Sequence, residues 1–129
     1  MSGERNLQVL LRSMQPVRKA GEFVYVVATA IPDAHIHASI QETEGVSYVL
    51  ERSDADRLGL PYDFVAGWIS LTVHSALDAV GLTAAVSAAL TNHEISCNVL
   101  AGLFHDHLLV PISRVDEAVA VIADLAKNA

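Results

Sequence analysis

The stretch HSALDAVGLTAAVSAALTNHEISCNV, His74 to Val99, decides how this chain is read. Leu82, Ala85, Val86, Ala89 and Leu90 fall at i, i+3, i+4, i+7 and i+8, so a helix following Gly81 turns one apolar stripe towards a sheet. Its other face carries Ala84, Ser87, Ala88 and Thr91, small and uncharged, where a water-facing helix would carry Lys and Glu. That face predicts contact with another helix, from the first half of the chain or from a second copy. The preceding segment SALDAVG has neither helical nor strand periodicity, and its Asp78 is the one charged side chain between Phe64 and His93.

The neighbouring segments extend the pattern. In WISLTVH, Ile69, Leu71 and Val73 alternate with Ser70, Thr72 and His74, a strand with one buried face. ISCNVLAGLF reads as a long strand, HDH (105–107) as a tight turn, and LLVPI as the returning strand. Ser113 then caps a last helix whose buried stripe is Val115, Ala118, Val119, Ile122 and Leu125. The order is strand, helix, strand, strand, helix, one strand short of a ferredoxin-like βαββαβ unit.

The first half has similar grammar and strands to spare. Leu7, Leu10, Leu11 and Met14 make an amphipathic helix stopped by Pro16. EFVYVVATA reads as a strand covered on both faces. Asp33 is expected to cap a helix over Ala34 to Glu44 that Gly45 ends. VSYVLER is the next strand, and Ser53 with Asp56 opens a brief helix closed by Gly59 and Pro61.

Composition bounds the function. The 129 residues are 52% apolar, enough for a core, and no apolar run approaches the roughly 20 residues of a membrane span. A net charge of -7 repels phosphate backbones and anionic headgroups, which argues against nucleic acid and membranes as partners. MSGERNLQ has no basic segment followed by an apolar run, and a single cysteine forms no internal disulfide, so a cytoplasmic protein is expected.

The run GLTAAVSAALTNHEISCNV, preceded by WISLTVHS and followed by a hairpin and an amphipathic helix, resembles the ACT domain, a small regulatory module that binds amino acids. The resemblance is to small bacterial proteins of two ACT-like units, related to the regulatory part of aspartate kinases and to the cytosolic arginine sensor of animals. It implies an α+β fold of two ferredoxin-like units, with antiparallel sheets and helices packed on one face. Residues 1–65 would be a degenerate, permuted unit and residues 66–129 the ACT domain proper.

The resemblance also implies a ligand site between the loop after the first strand of one unit and the second strand of a neighbouring unit. Carried over, this points to Ser75, Asp78, Ala79, Val80, Gly81 and Leu82 on one side and Ile95, Cys97 and Asn98 on the other. An amino acid needs an acceptor for its ammonium, donors for its carboxylate and a selecting wall. Gly81 lets the backbone turn tightly, free N–H groups opening the next helix suit a carboxylate, and Asp78 suits the ammonium. Asp78 has a second reading as a loop or helix cap. Gly81 serves the turn whether or not anything binds, Asn98 also reads as a cross-sheet hydrogen bond, and Cys97 alternates with Ile95 and Val99 as a small core residue.

Catalysis and metal binding find little footing. His35/His37 and His105/His107 form two HxH pairs, with His74 and His93 isolated, but no third ligand stands at a recognised spacing, so no metal or other cofactor is expected. There is no GxSxG elbow, HExxH or phosphate-cradling glycine loop, hence no catalytic residue to name. The expected function is non-enzymatic: a module that senses an amino acid, forms a homodimer and regulates a protein partner. The alternative is an ACT-fold assembly module without ligand binding.

Overall fold

The computed structural model describes residues 3–129. Its strands are β1 (Pro16–Ala28), β2 (Ala38–Glu42), β3 (Gly45–Glu51), β4 (Val65–Leu71), β5 (Asn98–Ala101) and β6 (Asp106–Pro111). The helices are α1 (Leu7–Ser13), α2 (Arg52–Leu58), α3 (Leu82–Asn92) and α4 (Val115–Lys127). All six strands join one antiparallel sheet in the order β2-β3-β1-β4-β6-β5.

The strand missing from the second half comes from the start of the chain. Pro16 to Lys19 of β1 pair with Leu71 to Trp68 of β4, giving β1-β4-β6-β5, the spatial order of a ferredoxin-like unit. Past an irregularity at Ala20–Glu22, β1 pairs through Phe23–Ala28 with β3, and β2-β3-β1-β4 forms the second such unit. Strands β1 and β4 thus belong to both units, and the sheet runs unbroken through residues 65 and 66. The result is an α+β fold of two ferredoxin-like units.

Helices cover one face of this sheet. Leu10, Leu11 and Met14 of α1, Leu82, Val86 and Leu90 of α3, and Val115, Ala118 and Ile122 of α4 pack with Ile69, Leu71, Leu108 and Val110. Ala55 of α2 packs on the same face against Val24, Val26, Tyr48 and Leu50. Alternation sends Phe23, Val49, Ala66, Trp68 and Leu109 to the opposite face.

Several local expectations are corrected. Residues 38–42 form β2, not a helix capped by Asp33, because the edge of β3 offers a ladder that a five-residue antiparallel strand satisfies. The strand expected over ISCNVLAGLF shrinks to β5, since Ile95 is drawn into the helix-side core and Gly102 begins the turn. That turn is Gly102–His105, closed by the Gly102 N–H donating to the His105 carbonyl at 2.9 Å, so Asp106 and His107 of the HDH run lie in β6. The WISLTVH strand starts earlier, at Val65, and ends at Leu71. Ser113 gives α4 no side-chain cap; a 3-10 turn, Ile112–Arg114, leads into it instead. Ser53 lies inside α2, which starts at Arg52 without a side-chain cap and ends on left-handed Gly59.

α1 touches α3, yet most of the small-residue face of α3 stays uncovered. Ala84, Ala88 and Thr91 are exposed within the single chain.

Candidate functional site

The segment His74–Gly81 is a loop at the end of β4, held by the N-terminal segment. The Glu4 N–H donates to the His74 carbonyl at 2.9 Å, and the Ala76 N–H donates to the Glu4 carbonyl at 2.8 Å, making a short parallel bridge. So close an approach needs Gly3, where a Cβ would lie 2.6 Å from the Ser75 carbonyl carbon. At the other end Gly81 adopts φ +108°, and a Cβ there would fall 2.9 Å from Leu7 Cδ2. The loop is therefore gripped at both ends by residues that precede β1.

Across this junction Arg5 reaches Asp78. Arg5 Nε donates to Asp78 Oδ1 at 3.0 Å and Nη2 to Oδ2 at 3.2 Å, a two-point guanidinium–carboxylate pair that stays largely solvent-exposed. The Arg5 hydrogen bonds hold the Asp78 carboxyl below its ordinary range. Asp78 caps no helix, α3 having no side-chain cap; its side-chain partner is a cation far away in sequence. The pair stands on a cleft of about 260 Å³ lined by Gly3, Arg5, His74, Ser75, Ala76, Leu77, Asp78 and Leu103.

The rim of the cleft is apolar. Leu77 is 72% exposed, Leu103 52% and Phe104 48%, and the rings of His74 and Phe104 lie 5.6 Å apart. Leu103 and Phe104 come from the β5–β6 turn, so the loop after β4 and this turn form one end of the sheet.

The residues expected to form a site divide sharply. Ser75 and Asp78 line the cleft. Ala79 is partly buried against the helix-side core, and Val80 projects into solvent at 83% exposure. Gly81 and Leu82 start α3 outside the cleft, with Leu82 buried in the core. Ile95 is a core residue, and Cys97 packs on the same core with its thiol pKa pushed up by burial. Asn98 lies on β5 opposite Leu109, whose carbonyl accepts from its Nδ2 at 3.5 Å. One chain does not bring this second group to the first.

Arg5, Gly3 and Leu103 escaped the sequence reading. Arg5 stands in a charged GERN segment before a helix and bears no spacing relation to Asp78, 73 residues away.

The histidines gather elsewhere. On the helix-free face Lys19 Nζ donates to His37 Nδ1 at 3.0 Å and lies 5.0 Å from the centre of the Trp68 ring. His35 and His37 rings are 4.4 Å apart, His37 meets Phe23 edge-on, and His107 Nδ1 hydrogen-bonds the Ser70 hydroxyl at 2.8 Å. Burial, with Lys19 and His35 beside it, holds His37 below its ordinary pKa; burial and His105 do the same for His107. Among the described residues no three His, Cys, Asp or Glu side chains converge as a metal would require, and no helix is long and apolar enough to cross a membrane.

Comparison with known proteins matches residues 2–67 to one model of the ACT domain and residues 64–124 to another. A solved Vibrio cholerae structure, of a protein of unknown function named as a "Possible Transport Protein", is 39% identical over 93% of this chain and 95% of its own, with a TM-score of 0.84. The Agrobacterium tumefaciens protein Atu0741 is 17% identical over 88% of this chain and 89% of its own, with a TM-score of 0.67. The regulatory subunit of aspartate kinase from Thermus flavus shares the fold at 5% identity, over 88% of this chain and 98% of its own, with a TM-score of 0.62. No curated protein matches the chain.

Proposed function

Since the chain belongs to the ACT-domain family, whose modules are regulatory rather than catalytic, we propose that it is a non-enzymatic amino-acid sensor whose ligand enters the cleft between Gly3–Arg5 and His74–Asp78. The observation that carries this reading is the Arg5–Asp78 pair. Guanidinium and carboxylate stand side by side on one cleft, the complement of the carboxylate and ammonium of an α-amino acid. Opening the pair lets Arg5 take the ligand carboxylate and Asp78 its ammonium. Arg5 then fills the role expected of the amides opening α3, which lie outside the cleft. Ser75 adds a hydroxyl to the same wall.

Binding would act by differential affinity. The pair ties the N-terminal segment to the loop after β4, and a ligand that breaks it favours a different arrangement of the two. Such a change is felt by whatever packs on that end of the sheet, the natural place for a regulated partner. The sensor works as a homodimer in the cytoplasm. Two features of the chain support self-association: the exposed small-residue face of α3, and the outer edges of β2 and β5, which pair with no other strand among the described residues.

Thermal shift against the twenty amino acids tests the reading. A ligand at about 100 times its dissociation constant stabilises the folded chain by roughly 2.7 kcal/mol. Arg5→Ala and Asp78→Asn should each remove the response while leaving the far-ultraviolet spectrum unchanged. A flat response to all twenty would leave the assembly-module reading in its place.

A further inference from the structure

We infer that the ligand is an α-amino acid with an uncharged aliphatic side chain, of the leucine, isoleucine or methionine class; this rests on the cleft proposed above. Among the described residues that line the cleft, Arg5 and Asp78 are the only Arg, Lys, Asp or Glu, and a zwitterion's own two charges occupy both. What remains for the side chain is the backbone of Gly3, with Ala76, Leu77 and Leu103, beside the His74 ring and the Ser75 hydroxyl. Among the described lining residues a lysine or arginine side chain would find no second carboxylate, and an aspartate or glutamate side chain no second Lys or Arg. Either would lose water without gaining a second Asp, Glu, Lys or Arg as partner.

The energetics lead the same way. Trading one exposed intramolecular ion pair for two exposed pairs to a ligand gains little, because solvent screens all of them. The net drive must therefore come from apolar area leaving water. Leu77 and Leu103 stand 72% and 52% exposed, supplied by two separate elements, the loop after β4 and the β5–β6 turn. A branched or thioether side chain seated between them covers both. Glycine, with the same charges and no side chain, covers neither.

The experiment is isothermal titration calorimetry of the full chain with leucine, methionine, glycine, lysine and glutamate. Leucine or methionine should bind about tenfold or more tightly than glycine, and lysine and glutamate more weakly than either. Leu103→Asp, on an exposed turn where the fold does not depend on it, should weaken leucine binding by about tenfold or more and narrow its advantage over glycine. Tighter binding of lysine or glutamate overturns the aliphatic class while leaving the amino-acid reading standing. Unchanged leucine affinity in both Leu103→Asp and Leu77→Asp overturns it as well. Binding of none of the five, with none of the twenty shifting the melting temperature, removes the amino-acid reading and this inference with it.

Discussion

Arg5 and Asp78, 73 residues apart, meet through two hydrogen bonds of 3.0 and 3.2 Å at the junction between the N-terminal segment and the loop after β4. The pair is exposed, so its contribution to stability is small. Its value lies in where it stands. Arg5→Ala should leave the thermal transition in the absence of ligand nearly where it is, and so should Asp78→Asn. If both residues serve one ligand, as proposed, the double variant should show no additional loss of ligand response. A large destabilisation from either single change, seen in urea titration, would mark the pair as a structural clamp instead.

Gly3→Val tests the grip on the loop. The new side chain would collide with the Ser75 backbone and push the N-terminal segment away. Hydrogen exchange read by mass spectrometry should show faster exchange at the amides of Glu4 and Ala76, which hydrogen-bond across this junction. Protection in α3 and β4 should stay as it was.

The histidines of the helix-free face make stability depend on pH. His37 faces Lys19, His35, Glu51 and Asp54, while His107 faces His105, Asp106 and Lys19. Both are held below the ordinary 6.5, so near and below that pH the unfolded chain binds more protons than the folded one. Their stabilising contribution is whole well above pH 6.5 and is lost as pH falls through the lowered folded values. Urea midpoints at pH 8 and pH 5.5, read by Trp68 fluorescence, should therefore decline towards acid. His37→Gln should flatten that decline. Asp106, pushed up by burial, works in the opposite direction but nearer the carboxylate range.

Leu90 carries the apolar stripe of α3 into the core and is fully buried. Leu90→Ala should cost about 2–5 kcal/mol, through lost burial and the cavity left behind. Equilibrium urea denaturation measures this. Leu77→Ala, on the exposed rim, should cost far less.

Ala88→Glu places a charge on the exposed face of α3. If two copies associate there, sedimentation should show dissociation to monomer without loss of helix content. An unchanged assembly would move the contact to the sheet edges.

Local periodicity carried most of the secondary structure. The stripes of α1, α3 and α4 and the apolar runs of β1, β3 and β4 repeat within a few residues, so a linear reading finds them. The Ala38–Glu42 strand was missed because its own side chains favour neither state strongly; the open edge of β3 decides it. The candidate site was half legible. Asp78 stands out because an apolar setting isolates it and Ser75 follows from the resemblance to the ACT domain, whereas Arg5 and Leu103 reach the cleft from segments with no sequence relation to it.

By itself the sequence determined the kind of element at most positions, the acidic balance, and the isolation of Asp78 between Phe64 and His93. Only the tertiary structure decided that β1 completes the sheet of the second half and that Asp78 faces Arg5. The reason is physical. Helical and strand periodicity is written in neighbours, but strand pairing and ion pairing depend on which distant segments the packed core leaves side by side.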